Sequence, residues 1–356
     1  MAATARIDGP RARLETLLQR HWWQLRPTLL ARALQPLSWL YRALSFVHKH
    51  SSRPLFASVP VLVVGNVVVG GVGKTPTVLA AVRLLQAAGH KPAVLSRGYG
   101  RKGRQGRLAR RVHSGDTAVD IGDEPLLIHR NSGVAVWVGS DRAALAQLAC
   151  AQDPGIDVLV SDDGLQHHRL GRSVELIVFD ERGVGNGLLL PAGPLRQRWP
   201  LNTGPVPRLV LYNAGAASTP EPGTLAVRGI GRAWPLNAWW QHDASHSVPL
   251  KQLQGRPLLA AAGLAAPEKF FSMLDAAGLH ISRLPLPDHH AFDALPWPAG
   301  TPEVVITEKD AVKLRPPSTL QGGAATAVWV VPLDFELPAT LGRDLLTLLF
   351  PARTPP

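Results

Sequence analysis

The sequence predicts an α/β fold of the P-loop NTPase type. A parallel sheet sandwiched by helices is followed by a second, smaller α/β domain and preceded by an amphipathic helix. Three observations predict it. From Val59 onward, short apolar runs alternate with helical stretches, the pattern of a parallel sheet covered on both faces. The first run, Val59 to Val64, breaks into Gly65-Asn66-Val67-Val68-Val69-Gly70-Gly71-Val72-Gly73-Lys74-Thr75-Pro76, a glycine-rich loop that opens a helix. With 356 residues and 46% apolar content, the chain is long enough for two domains and a sizeable core.

Residues 1–50 read as a membrane-associating helical segment. Trp22, Trp23, Trp39 and Tyr41 stand among leucines and are interleaved with Arg20, Arg26, Arg32, Arg42 and Lys49. Pro36 suits the first turn of a helix, and from there Leu37, Leu40, Tyr41, Leu44 and Val47 fall on one face. An apolar face with tryptophans and arginines fits the lipid headgroup zone. A helix packed on its own domain is the plainer alternative. No run reaches the ~18–20 charge-free apolar residues that a bilayer crossing needs. A cleaved signal peptide is not expected, because no short apolar core with a small-residue cleavage site stands near the start.

Residues 51–235 form the expected P-loop domain. Its strands read at 59–64, 92–96, 134–138, 157–161, 174–179 and 208–212, with helices at 75–88, 124–130 and 141–151. Right-handed crossovers then gather the loops after each strand along one sheet edge, where ligands bind. The stretch 213–250, rich in Ala, Gly, Pro and Trp, reads as a connector, with a β-ribbon as one form open to it. The C-terminal domain is expected over 236–356, with strands at 257–262, 281–285, 303–306 and 327–332. Its helices read at 267–277, 308–313 and near 340–350, and the tail from Pro351 to Pro356 reads as loose.

The formal charge of +12 implies an anionic partner: nucleotide, nucleic acid or acidic lipid. The densest basic run, Arg101, Lys102, Arg104, Arg107, Arg110 and Arg111, also reads as a solvated loop. A nucleic-acid partner is not expected. Such a surface interleaves basic residues with stacking aromatics on one face, whereas the tryptophans here cluster in the N-terminal segment. The single cysteine, Cys150, excludes a disulfide framework within the chain and fits a reducing compartment.

Seven motifs carry candidate chemistry. In the first, Gly70, Gly71 and Gly73 let backbone N–H groups, including that of Val72, turn toward a polyphosphate, while Pro76 follows in the first helical turn. Lys74 is placed for the β/γ-phosphates and the Thr75 hydroxyl for Mg²⁺, so ATP and Mg²⁺ are the expected cofactors. The full P-loop pattern has a glycine where this chain has Val68. In the second, Ser161-Asp162-Asp163-Gly164-Leu165-Gln166-His167-His168 follows a strand, and Asp162 and Asp163 are candidate Mg²⁺ ligands. Gln166 and His167 are candidate substrate contacts. In the third, Gly122-Asp123-Glu124-Pro125 opens a helix, where Asp123 is either an N-cap or a base for a hydroxyl acceptor. In the fourth, Ser96-Arg97-Gly98-Tyr99-Gly100-Arg101 puts Arg97 and Tyr99 on a mobile loop at the ligand edge. The fifth, Leu190-Pro191-Ala192-Gly193-Pro194-Leu195-Arg196, is a stiff turn presenting Arg196. The sixth, Asp288-His289-His290, suits an acid/base relay better than a zinc site, because adjacent histidines point apart. The seventh, Thr307 to Lys313, reads as a capped helix start with Lys309 and Lys313 paired to acidic neighbours.

Together these segments resemble the tetraacyldisaccharide 4′-kinases, which phosphorylate a lipid A precursor. The resemblance covers most of the chain and adds the helix from Pro36 to Tyr41 and the segment Gly187 to Arg196. It implies two α/β domains with the active site in the cleft, and peripheral attachment to the cytoplasmic face of the Gram-negative inner membrane. The implied acceptor is an acylated glucosamine disaccharide 1-phosphate. Asp123 is then the base on its 4′-hydroxyl, supported by His289, while Lys74, Thr75, Asp162 and Asp163 handle ATP and Mg²⁺. Asn66 and Arg196 join the substrate-binding candidates. Gln197 stands where the family pattern is acidic, which puts a metal or substrate role of that position in doubt. The alternative is a peripheral membrane partition-type ATPase. Its loop carries a signature lysine before the paired glycines, where this chain has Val69.

Overall fold

The computed structural model describes residues 17–101, 108–201, 204–314 and 326–351. Lys102, Arg104 and Arg107 of the expected basic run, and the tail beyond Pro351, lie outside these residues.

The first sheet has eight strands. They are β1 (Val61–Gly65), β2 (Pro92–Ser96), β3 (Arg110–Arg111), β4 (Ala135–Val138), β5 (Val158–Asp162), β6 (Val174–Asp180), β7 (Arg208–Asn213) and β8 (Thr224–Leu225). Their spatial order is β3-β4-β2-β5-β1-β6-β7-β8, and every pairing is parallel except β3 with β4. The inner strands are buried residue after residue, which is why they read as unbroken apolar runs rather than alternating ones.

The chain moves from β1 to β2 to β4 in one direction across the sheet, then reverses to β5. Right-handed crossovers therefore put helices Lys74–Ala87 and Asp123–Ser132 on one face and Arg142–Gln152 on the other. The reversal puts β5 beside β1, with Val64 level with Asp162. The loops leaving these two strands thus open side by side at the carboxyl edge, the switch-point position for a ligand.

The connector contains a ribbon. Its strand β9 (Val227–Gly229) pairs antiparallel with a strand far along the chain. Between the two lies a second sheet of β10 (Arg232–Pro235), β11 (Val248–Pro249), β12 (Leu258–Ala262), β13 (Ile281–Pro285), β14 (Glu303–Thr307) and β15 (Ala327–Val331). Their order is β11-β10-β15-β14-β12-β13. The returning ribbon strand is β16 (Asp334–Glu336). Helix Ala339–Leu349 then packs on the P-loop domain, not on the second domain where the sequence reading put it. Leu341 and Leu345 are buried in the larger core, Gly342 lies against Leu84 of the P-loop helix, and Phe350 stacks on His90 at 3.7 Å.

The N-terminal segment is stitched to the loop before Arg196. Trp22 Nε1 donates to the Pro191 carbonyl (2.8 Å), Ser38 Oγ to the Leu189 carbonyl (2.8 Å) and the Tyr41 hydroxyl to the Arg196 carbonyl (2.8 Å). Helix Gln35–Ser51 buries only Ser38. Leu37, Trp39, Leu40, Leu44, Phe46 and Val47 are all exposed, while Tyr41 turns toward the protein rather than joining the expected apolar face. Among the described residues, no helix is long and apolar enough to cross a membrane.

Candidate active site

The P-loop is held open by partners for its outward carbonyls. Buried Asn66 donates from Nδ2 to Val68 O (2.8 Å), Arg182 Nη2 to Gly71 O (2.9 Å) and Asn213 Nδ2, at the end of β7, to Val72 O (3.0 Å). Gly73 precedes the helix at φ 92°, a left-handed conformation, and a Cβ there would sit 2.1 Å from Asn213 Nδ2. Only glycine fits. The helix that follows starts at Lys74 with no side-chain cap, so its first N–H groups stay free for an anion.

A cavity of about 550 Å³ lies between this loop and the second domain, lined on one side by residues from Gly70 to Pro76. Lys74 Nζ rests between Asn66 Oδ1 (3.2 Å) and Asp163 Oδ1 (3.8 Å). The adjacent aspartates differ sharply. Asp163 is engaged by Lys74 and by Arg196 Nη1 at 2.9 Å, and although burial opposes its charge, these cations hold its pKa below the ordinary carboxylate value. Asp162 is 2% exposed, and its Oδ1 has no hydrogen-bond partner among the described residues. Burial, with Glu124 and Asp163 nearby, pushes its pKa up to about 7. Lys74 and Arg142 offset this only in part, and a carboxylate so placed, with no ion pair among the described residues, fits a site for a cation.

The opposite wall belongs to the second domain. His289 Nδ1 donates to Asp123 Oδ2 at 2.8 Å, joining residues 166 positions apart. The cap reading of Asp123 gives way: Gly122 is the N-cap, at φ 94°, because Tyr99 O packs where a Cβ would stand. Asp123 is instead the first helical residue, nearly buried, with His289 as its cross-domain partner. Burial works against its charge, but the hydrogen bond from His289 and the charge of Lys309 outweigh it and lower its pKa. The same bond raises that of His289 against the opposing effects of burial and Lys309. Lys309 spans the domains differently from the local pairing expected of it, reaching Asp288 (3.3 Å) and Glu124 (3.5 Å). Lys313 does pair within its own turn, with Asp310 at 3.0 Å.

Arg97, Tyr99 and Arg196 line the cavity, and the Tyr99 ring lies 5.4 Å from that of His289. Four candidates do not line it: Asp123, buried and bonded to His289, and the three described next. Asn66 is fully buried as loop scaffold, because strand β1 ends just before it and turns its amide under the P-loop. Gln166 donates to Asn66 O (3.0 Å) and to Gln197 Oε1 (3.1 Å). His167 faces Asp141 at 3.4 Å, and burial together with Arg142 pushes its pKa down to about 4. The sequence reading passed over Asn213, Lys269 and Arg228, all of which line the cavity. Asn213 carried a usable signal, a polar residue at the end of an apolar strand. Arg228 and Lys269 carried none, since they arrive from the ribbon and the second domain.

Comparison with known proteins agrees with this architecture. A family model described as tetraacyldisaccharide-1-P 4′-kinase matches residues 30–349. The chain is similar to the tetraacyldisaccharide 4′-kinase of Methylibium petroleiphilum, 48% identical over 347 residues, covering 96% of this chain and 95% of the relative. It is also 48% identical over 360 residues to that of Leptothrix cholodnii, covering 98% of this chain and all of the relative. Its fold matches the crystal structure of LpxK from Aquifex aeolicus in complex with ATP, with a TM-score of 0.69 at 23% identity over 90% of this chain and all of the other. The near-full-length matches settle the family: this chain belongs to the tetraacyldisaccharide-1-P 4′-kinases.

Proposed function

We propose that the protein transfers the γ-phosphoryl group of ATP to the 4′-hydroxyl of an acylated glucosamine disaccharide 1-phosphate, working from the cytoplasmic face of the Gram-negative inner membrane. The observation that carries this reading is the Asp123–His289 pair, brought together from two domains, with His289 lining the same cavity as Lys74 and Thr75. Phosphoryl transfer is mostly positioning and charge neutralisation, and the cavity supplies both.

Lys74 offsets charge on the transferring group. Asp123, held ionised, takes the proton of the acceptor hydroxyl, and His289 orients it and faces the substrate. The orphaned Oδ1 of Asp162 and the Thr75 hydroxyl are hard oxygen donors that suit Mg²⁺, with phosphate oxygens and water completing the set. There Mg²⁺ would supply positive charge against that of the phosphates. Asp163, already engaged, keeps Lys74 and Arg196 in place. The apolar part of the lining, with Leu79, Phe270, Met273, Leu333 and Phe335, suits a nucleobase. ATP as donor is supported by the ATP complex of the Aquifex relative. The exposed apolar side of helix Gln35–Ser51 supports attachment to the membrane surface.

The test is incubation with labelled ATP, Mg²⁺ and a monophosphorylated acylated glucosamine disaccharide. Label is expected in the lipid phase. ATP consumed with no label in lipid, or only when nucleic acid is present, would overturn the reading.

A further inference from the structure

The P-loop carbonyl of Gly71 is held from outside the loop, and by an unusual chain of contacts. Strand β6 ends at Asp180, whose carboxylate is fully buried. Its Oδ1 accepts from the Arg182 backbone N–H (3.1 Å), and its Oδ2 accepts from Arg182 Nε (2.9 Å) and forms an ion pair with Nη2 (2.7 Å). Arg182 is thereby fixed in one orientation, and Nη2 also donates to Gly71 O at 2.9 Å. The guanidinium carbon lies 4.2 Å from the ring centre of Trp23, a residue of the N-terminal segment. Trp23 is itself fixed, since its neighbour Trp22 donates to Pro191 O and accepts from the Asn186 N–H at 2.8 Å. From the other side, Lys269 of the second domain reaches the same Asp180 Oδ2 (3.0 Å) and Glu181 (2.8 Å).

The geometry has a direct consequence for the loop. A trans peptide is planar, with its C=O and N–H pointing opposite ways. Holding Gly71 O outward on Arg182 therefore turns the Val72 N–H inward, toward the cavity where phosphate oxygens would sit. A guanidinium is fixed best when its edges are bonded and its face is covered, and here Asp180 and Gly71 take the edges while Trp23 covers a face.

We propose that Arg182 is a positioning residue for the nucleotide site, and that Trp23 makes the N-terminal segment a working part of that site rather than an anchor alone. The inference rests on the reading of the cavity as an ATP site. It predicts that loosening the segment at Trp23 weakens nucleotide binding even where no membrane is present.

The experiment uses the full chain in detergent micelles. Affinity for a non-hydrolysable ATP analogue with Mg²⁺ is measured by titration calorimetry, beside the KM for the glycolipid, vesicle co-sedimentation and melting temperature. Trp23→Ala and Arg182→Ala should each weaken analogue binding by about tenfold, the scale of one charge-assisted hydrogen bond, with the KM for the glycolipid unchanged. Trp23→Phe, which keeps a ring over the guanidinium, should restore most of the affinity. The double variant should be no weaker than Arg182→Ala, because the two residues act in series. Folded variants that bind the analogue as wild type does would overturn the inference. So would a Trp23→Ala defect confined to vesicles, or strictly multiplicative losses. If Arg182→Ala does not fold, the comparison of Trp23→Ala with Trp23→Phe decides, and equal affinities overturn the inference. Absence of analogue binding by the wild type would instead overturn the nucleotide reading of the cavity, and this inference with it.

Discussion

Asp162 and Asp163 show how little adjacency in sequence says about role. β5 extends one residue beyond its expected end, so Asp162 is the last strand residue, buried and in no ion pair among the described residues. Asp163 takes φ 49° and swings out to Lys74 and Arg196. Asp162→Asn should therefore raise the Mg²⁺ concentration for half-maximal rate by about tenfold or more, the scale on which a lost metal-site partner acts. Asp163→Asn should keep the Mg²⁺ requirement near wild type and lower kcat through a displaced Lys74. A Mg²⁺ titration of both variants checks this, and equal shifts would refute the assignment. The motif was legible in the sequence; the division of labour was not, because it depends on a backbone angle that a non-glycine residue rarely adopts.

Asp123 and His289 were legible as candidates, while their contact required the cleft. Removing either should lower kcat by roughly 10²–10⁴-fold with little change in the KM for ATP. Asp123→Asn with His289→Ala together should cost far less than the product. Strictly multiplicative losses would rule out a dyad. The pair also sets a pH dependence of stability. The contribution from Asp123, whose pKa is lowered, is present above its ordinary 3.8 and is lost as pH falls through the depressed value. That from His289, whose pKa is raised, is present below its ordinary 6.5 and is lost as pH rises through the raised value. The melting-temperature advantage of wild type over His289→Gln should thus shrink as pH rises above 6.5. An advantage that grows with pH would contradict the shift.

At the scale of elements, helix Gln35–Ser51 poses the clearest question. Its polar anchors, Ser38 and Tyr41, face the protein, and its large apolar side chains face outward. Leu40→Glu with Leu44→Glu should weaken vesicle binding by at least about tenfold, given the apolar area each leucine would bury in lipid. Melting temperature should hold, since both side chains are more than half exposed. Unchanged co-sedimentation, or a marked drop in melting temperature, would count against a lipid-facing role. The helix was legible from its periodicity. The inward turn of Tyr41 was not, because the carbonyl it reaches lies 155 residues away. Strands β1, β2, β5, β6 and β7 were legible because both their faces are buried, which leaves continuous apolar runs. The two-residue strands β3 and β8 have no such run to read.

At the scale of the whole molecule, contacts of two kinds join the domains. Near the reacting groups they are ionic: His289 to Asp123, Lys309 to Glu124 and Lys269 to Asp180. At the other end of the helix that begins with Asp123, Arg130 lies between Trp239 and Trp240, and Asn131 donates to half-buried Glu308 at 2.8 Å. Water can replace the ionic set as the cleft opens, whereas parting the packed set would expose aromatic surface. None of these pairings was legible in the sequence, since each links residues that only the fold brings together.

The return of the last helix to the P-loop domain makes the second domain an insertion rather than an appendage. The chain leaves through β9 and comes back through β16, so the described segments before β9 and after β16 belong to the same body. No single cut can separate the two domains. A chain ended just before Ala339 would strip Leu341, Leu345 and Leu349 from the core of the P-loop domain, although all three follow the second domain in sequence. Leu345→Ala alone should cost about 2–5 kcal/mol, the usual range for a buried leucine, and should be read out in the unfolding of the nucleotide-binding body. Excising residues 230–333 and rejoining β9 to β16 through a short turn should, by contrast, leave a folded eight-stranded domain that has lost His289. Circular dichroism and melting of the two products would show which boundary the molecule obeys.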